Sequence, residues 1–260
     1  MAYFHINHLS ETLHMLTNTV VILPDFNPAE GIQEPYPVLY LLHGFTHDCF
    51  GWLHNSCIAR YANEKKIAVV LPSGYNSAYT DMYYGQNYFT FISEELPAFL
   101  NTVFPISKEA NSTFVCGNSM GGYGALKWAL TYPERFGGAI SLSGSLHAED
   151  RILGRSANSG NQCEGIYGSP AKIDPNTQDL FVMLRNRIRE GRKLPKFSLY
   201  CSTEDKQYLY QSSLDFYAMA KEYGLSVTFD DGPGGHTFDY WDPLLPKILD
   251  WCLSIAQKAS

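Results

Sequence analysis

A chain of 260 residues with 45% hydrophobic content can bury a substantial core, as one α/β domain or two small ones. The net charge of −7 and the lack of a basic block argue against nucleic acid or an anionic membrane surface as a partner. No apolar stretch approaches membrane-spanning length, and the N-terminal MAYFHINHLSETLHM lacks the pattern of a secretory signal. Cys49, Cys57, Cys116, Cys163, Cys201 and Cys252 are dispersed without CxxC pairs, which favours a reduced, cytoplasmic setting.

In chain order, Phe4 to Ser10 and Leu13 to Leu23 read as strands, the second stopped by Pro24. A polar loop from Asp25 to Pro37 leads to Val38–Leu42 (VLYLL), a short apolar run of the kind buried on both faces of a parallel sheet. Ile58 to Lys66 suits a helix, and Ile67 to Leu71 (IAVVL) another buried strand. Phe89 to Phe104 carries apolar residues near helical spacing, with Pro97 predicting a kink or split. Further strands are expected at Thr113 to Cys116, Ala139 to Leu142, Phe197 to Cys201 and Val227 to Phe229. Helices are expected at Tyr123 to Leu130, Leu180 to Glu190, Tyr208 to Tyr223 and Tyr240 to Gln257, the last entered through Pro243. Strands alternating with helices predict a mainly parallel sheet covered on both faces, with an antiparallel start. The rhythm breaks from Leu146 to Pro195, which reads as a cap inserted into one domain.

The chemistry centres on Gly117-Asn118-Ser119-Met120-Gly121, a Gly-x-Ser-x-Gly between a buried strand and a helix. That context is a nucleophile elbow, in which a strained serine is lifted above the sheet edge and the helix amides face developing negative charge. Without partners the same turn would be only a glycine-rich corner or a phosphate cradle. A serine hydroxyl needs a base, and on such a sheet the base lies in a loop at a strand's carboxyl end. His236 follows the strand at Val227 to Phe229 on Asp231-Gly232-Pro233-Gly234-Gly235. The preceding strand is followed by Ser202-Thr203-Glu204-Asp205, where Asp205 is preferred to Glu204 because its shorter carboxylate holds an imidazole with less freedom. Asp205 could instead cap the helix after it. The loop His43-Gly44-Phe45-Thr46 offers a second oxyanion donor, the Phe45 N–H, beside that of Met120. His43, His47, Asp48 and His54 hint at a metal cluster, but no second ligand group accompanies them. His5, His8 and His14 read as structural or exposed, and His147 lies at the start of the cap.

LLHGF at Leu41 to Phe45, GNSMGGYGAL at Gly117 to Leu126, YPERF at Tyr132 to Phe136, STED at Ser202 to Asp205 and GGHTFDYWD at Gly235 to Asp242 together resemble the esterase D-like α/β-hydrolases. Tyr79 to Pro97 looks most like the tributyrin esterase branch of lactic-acid bacteria and streptococci. The resemblance implies an α/β-hydrolase fold and a serine carboxylesterase acting on short-chain acyl esters, with Ser119, Asp205 and His236 catalytic and Phe45 and Met120 forming the oxyanion hole. It implies no cofactor and no metal, a small-molecule ester as partner, and a possible homo-oligomer. Acetyl-xylan or feruloyl esterases and S-formylglutathione hydrolases are rival readings, although the Ser-Gly-Leu-Thr-Cys loop typical of the last is replaced by Phe45-Thr46-His47. A non-catalytic binding scaffold is the rival from another class. Phe45, Trp52, Tyr83 and Tyr84 are expected to close off a small acyl pocket.

Overall fold

In the computed structural model, residues 1–25, 35–152, 162–169 and 172–257 are described. Eight strands form one sheet in the order β1-β2-β4-β3-β5-β6-β7-β8. They are β1 Ala2–Ser10, β2 Met15–Leu23, β3 Val38–Leu42, β4 Ala68–Pro72, β5 Thr113–Asn118, β6 Gly138–Leu142, β7 Lys196–Ser202 and β8 Val227–Gly232. The pairs β1–β2 and β2–β4 are antiparallel, and every pair from β4 onward across the sheet is parallel. This is the α/β-hydrolase fold.

The apolar runs explain the layering. Residues of β3, β4, β5 and β6 are all buried, so alternate side chains enter two separate cores. Val38, Tyr40 and Leu42 face one core with the helices Met120–Thr131, Leu180–Arg189 and Gln207–Glu222. Leu39 and Leu41 face the other, against Ile58–Lys65 and Leu245–Ala256.

Proline divides two helices, one at Pro97 as the sequence predicts and one where a single closing helix is expected. The run from Tyr88 to Val103 contains a π-helical turn, Phe91–Glu95, in which the Leu96 N–H bonds back to the Phe91 carbonyl. That turn ends beside Pro97, which then occupies the first turn of Leu96–Val103, where its missing N–H is not needed. The expected closing helix from Tyr240 is divided into Phe238–Trp241, a 3₁₀ turn Asp242–Leu244 and Leu245–Ala256. Pro243 and Pro246 each start one of the later pieces.

Between β6 and β7 the described residues include three short helices, Ala148–Ile152, Gln162–Tyr167 and Pro175–Gln178, besides Leu180–Arg189. The loop markers Asn158, Ser159, Gly160 and Pro170, and most of the loop from Asp25 to Pro37, lie outside the described residues. Among the described residues no helix is long and apolar enough to cross a membrane.

Candidate active site

The carboxyl ends of β3, β5, β7 and β8 converge on one cleft. At the end of β5, Ser119 has φ 54° and ψ −116°, a conformation that a side chain rarely tolerates. It is held by its own N–H, which donates to the Leu142 carbonyl on β6 at 2.8 Å, and by its carbonyl, which accepts the Gly122 N–H at 3.0 Å. The turn is so tight that a Cβ on Gly117 would lie 2.4 Å from the Gly121 carbonyl carbon. One on Gly121 would lie 2.4 Å from the Leu42 carbonyl oxygen. The helix Met120–Thr131 then begins immediately beneath the Ser119 hydroxyl, with Met120 as its first residue and no acidic side chain in its first turn.

Three side chains from three loops meet there. The Ser119 Oγ lies 2.9 Å from Nε2 of His236, and Nδ1 of His236 lies 2.9 Å from an Asp205 carboxylate oxygen. The Asp205 side chain is wholly buried. Burial alone would push its carboxyl up, but the hydrogen bond and charge of His236, the Lys206 N–H and the nearby Ser143 hydroxyl outweigh burial and hold it below the usual range. An ionised Asp205 can only accept, so Nδ1 carries the proton and Nε2 presents a lone pair to the serine hydroxyl. Glu204 is turned away and accepts the Gly234 N–H at 3.2 Å. Asp231 accepts from the Tyr210 hydroxyl, and Asp230 pairs with Lys247.

Phe45 follows β3 on the opposite wall. Its loop is fixed by His43, which is fully buried and driven down to a pKa of about 4, chiefly by loss of solvent. The neutral ring accepts the Gly74 N–H at Nε2 (2.9 Å) and lies 2.7 Å from the Gly44 carbonyl through Nδ1, so Nδ1 is the protonated nitrogen. Thr46, at φ 69°, donates its N–H to the Asn76 side chain at 2.8 Å. The resulting cavity has a volume of about 410 Å³, with Phe45, His47, Leu209, Phe238 and Trp241 on its walls and Ser119 and His236 exposed within it.

The Esterase family model, whose description reads "Putative esterase", matches residues 10–252. The chain belongs to this esterase family. It is 31% identical to an acetyl esterase of Caldicellulosiruptor saccharolyticus, over 98% of this chain and all of the relative. Its structure is similar to that of a substrate-bound fluorophosphonate-binding serine hydrolase, FphF, of Staphylococcus aureus, at 34% identity with a TM-score of 0.88, covering 96% of this chain and 98% of the other. An S-formylglutathione hydrolase of Staphylococcus aureus in its apo form is similar at 33% identity and a TM-score of 0.87, with the same coverage. The protein is a serine esterase of the esterase D group.

In this esterase several expectations need correction. Of the four aromatic residues expected at the mouth, only Phe45 lines the cavity. Trp52 is 1% exposed and is pulled into the core by its indole N–H, which donates to the Leu42 carbonyl at 3.0 Å. Tyr83 and Tyr84 are exposed, packed on each other, and tied by their backbone N–H groups to Ile166 and Gly165. The apolar walls come instead from Leu209, Phe238 and Trp241, which follow the strand-end loops of β7 and β8. Their position just after Asp205 and His236 in the chain was the available signal. His147 does not line the cavity, because its Nε2 lies 3.1 Å from Asp215 and its ring packs on Phe181. Among the described residues no group of His, Cys, Asp or Glu has the arrangement to hold a metal.

Proposed function

We propose that this esterase hydrolyses short-chain acyl esters through an acyl-enzyme on Ser119. The observation that carries the reading is the pair of 2.9 Å contacts that place His236 between the serine and a buried, ionised carboxylate. His236 takes the Ser119 proton as Oγ bonds to the ester carbonyl carbon, and Asp205 orients the imidazole and stabilises it once charged. The Phe45 and Met120 N–H groups receive the tetrahedral oxyanion. His236 then passes the proton to the departing alcohol, and a water activated by the same imidazole releases the acid. No cofactor is required by this sequence of steps. The partner is a small ester, and the cap is the part of the insertion after β6 that precedes Leu180–Arg189, since that helix packs on the sheet. The dispersed cysteines, without CxxC pairs, are the ground for proposing a cytoplasmic setting.

A cavity of about 410 Å³ is near the small end of the range for ligand pockets, roughly 300–1,000 Å³, and supports a short acyl group. The tributyrin-esterase resemblance and the similarity to an acetyl esterase support the same end of the series. Each methylene that can be buried adds about 0.8 kcal/mol until the space is full. On p-nitrophenyl esters kcat/KM is therefore expected to peak between acetate and butyrate and to fall by octanoate, with no activation on emulsified substrate. A maximum at decanoate or longer would contradict it. The similarity to an S-formylglutathione hydrolase favours a small thioester as the second reading, and S-formylglutathione belongs in the same panel.

A further inference from the structure

Resting on that reading of Ser119, Asp205 and His236, we propose that Trp241 is a positioning residue for His236, fixing the tilt of the imidazole. The two hydrogen bonds of His236 leave from its two nitrogens, one to Asp205 and one to Ser119. Such a pair sets the line through the nitrogens but leaves the ring free to rock about that line. The indole of Trp241 stands against it at a centroid distance of 4.9 Å with the ring planes at 85°, and this contact stops the rocking.

The indole is itself held by two partners, Ser143 and Phe238. Its N–H donates to the Ser143 Oγ at 3.2 Å, and Ser143 is fully buried at the end of β6 with its own N–H on the Tyr200 carbonyl at 2.7 Å. Phe238 packs edge-on against Trp241 at 5.3 Å and against Trp52 at 5.0 Å. Trp52 is in turn anchored to β3 through the Leu42 carbonyl. The position of the imidazole is thereby referred to β3 and β6 as well as to Asp205. Trp241 is 4% exposed, so its ring is fixed without water on most of its surface.

The tilt of the imidazole matters when it takes the Ser119 proton and passes it to the leaving alcohol, so this contact acts on the chemical step. Removing the ring should lower kcat more than it raises KM. The other titratable groups facing the site are Asp205, Lys206, Tyr208, Tyr240 and His47, and the substitutions leave each of them in place.

The test compares Trp241→Phe with two ring-free variants, Trp241→Leu and the longer, unbranched Trp241→Met, each checked for a cooperative melt. The Phe variant, which keeps an aromatic ring, is expected to lose about threefold at most. The ring-free variants are expected to lose about three- to thirtyfold in kcat, with a smaller change in KM. Equal losses in all three, or a KM change as large as the kcat change, would mean simple packing and overturn the proposal, as would kcat within twofold of wild type in both ring-free variants. His236→Ala is the separate control. If it keeps wild-type turnover, the catalytic reading itself fails, whereas an inactive His236→Ala beside unaffected Trp241 variants removes only the role given to Trp241.

Discussion

Gly117 and Gly121 face each other across the Ser119 turn with no space for a side chain between them, a Cβ on the first falling 2.4 Å from the backbone of the second. The strained serine therefore depends on two residues that do no chemistry. Gly117→Ala and Gly121→Ala should each cost about 1–3 kcal/mol or more, because strand or helix must move to admit a methyl group. Gly165→Ala, where a Cβ would meet nothing within 4 Å, should be nearly neutral. Thermal melts of the three variants check the contrast, and equal losses would show that the turn has room to adjust.

His43 predicts a pH dependence of stability. Its folded pKa of about 4 lies below the ordinary 6.5, so between those values the unfolded chain binds the extra proton. Stability then falls as pH drops from about 6.5 toward 4, by at most about 1.4 kcal/mol per pH unit from this residue. In His43→Gln that part of the slope should vanish while the molecule becomes less stable at neutral pH, through loss of the Gly74 and Gly44 contacts. Denaturant melts at pH 7, 6 and 5 would read both effects. Parallel slopes for the two proteins would contradict the assignment of a neutral ring.

The four acidic residues near the site should separate cleanly. Asp205→Asn is expected to cost roughly ten-thousandfold in kcat, as for other triads in which asparagine leaves the imidazole in the wrong tautomer. Glu204→Gln, Asp230→Asn and Asp231→Asn should cost far less, since those carboxylates are engaged by Gly234, Lys247 and Tyr210. A loss at Asp231 matching that at Asp205 would move the acid to β8.

Much of this was legible in the sequence for physical reasons that differ by element. The strands VLYLL and IAVVL are buried on both faces, so their composition alone marks them. The order Ser119, Asp205, His236 follows from strand-end loops on a parallel sheet, and the three side chains lie within hydrogen-bond distance. The choice between Glu204 and Asp205 rested on side-chain length, and only Asp205 reaches the imidazole. The aromatic lining was not legible. Trp52 and Phe45 sit seven positions apart on one loop and helix, yet a single hydrogen bond to Leu42 turns the indole into the core. The Ser143–Trp241 contact depends on backbone register between distant segments, which no local pattern encodes.

The role of Ser119 is the centre of the account, and one paired measurement tests it most directly. Wild type and Ser119→Ala are treated with a fluorophosphonate, the adduct is mapped by mass spectrometry, and turnover of p-nitrophenyl acetate is measured on the same preparations. A single adduct on Ser119, no labelling of the variant, an unchanged melt and a loss of turnover on the order of a million-fold are the expected results. An adduct on another residue, or a variant that keeps more than a few per cent of wild-type turnover, would contradict the account.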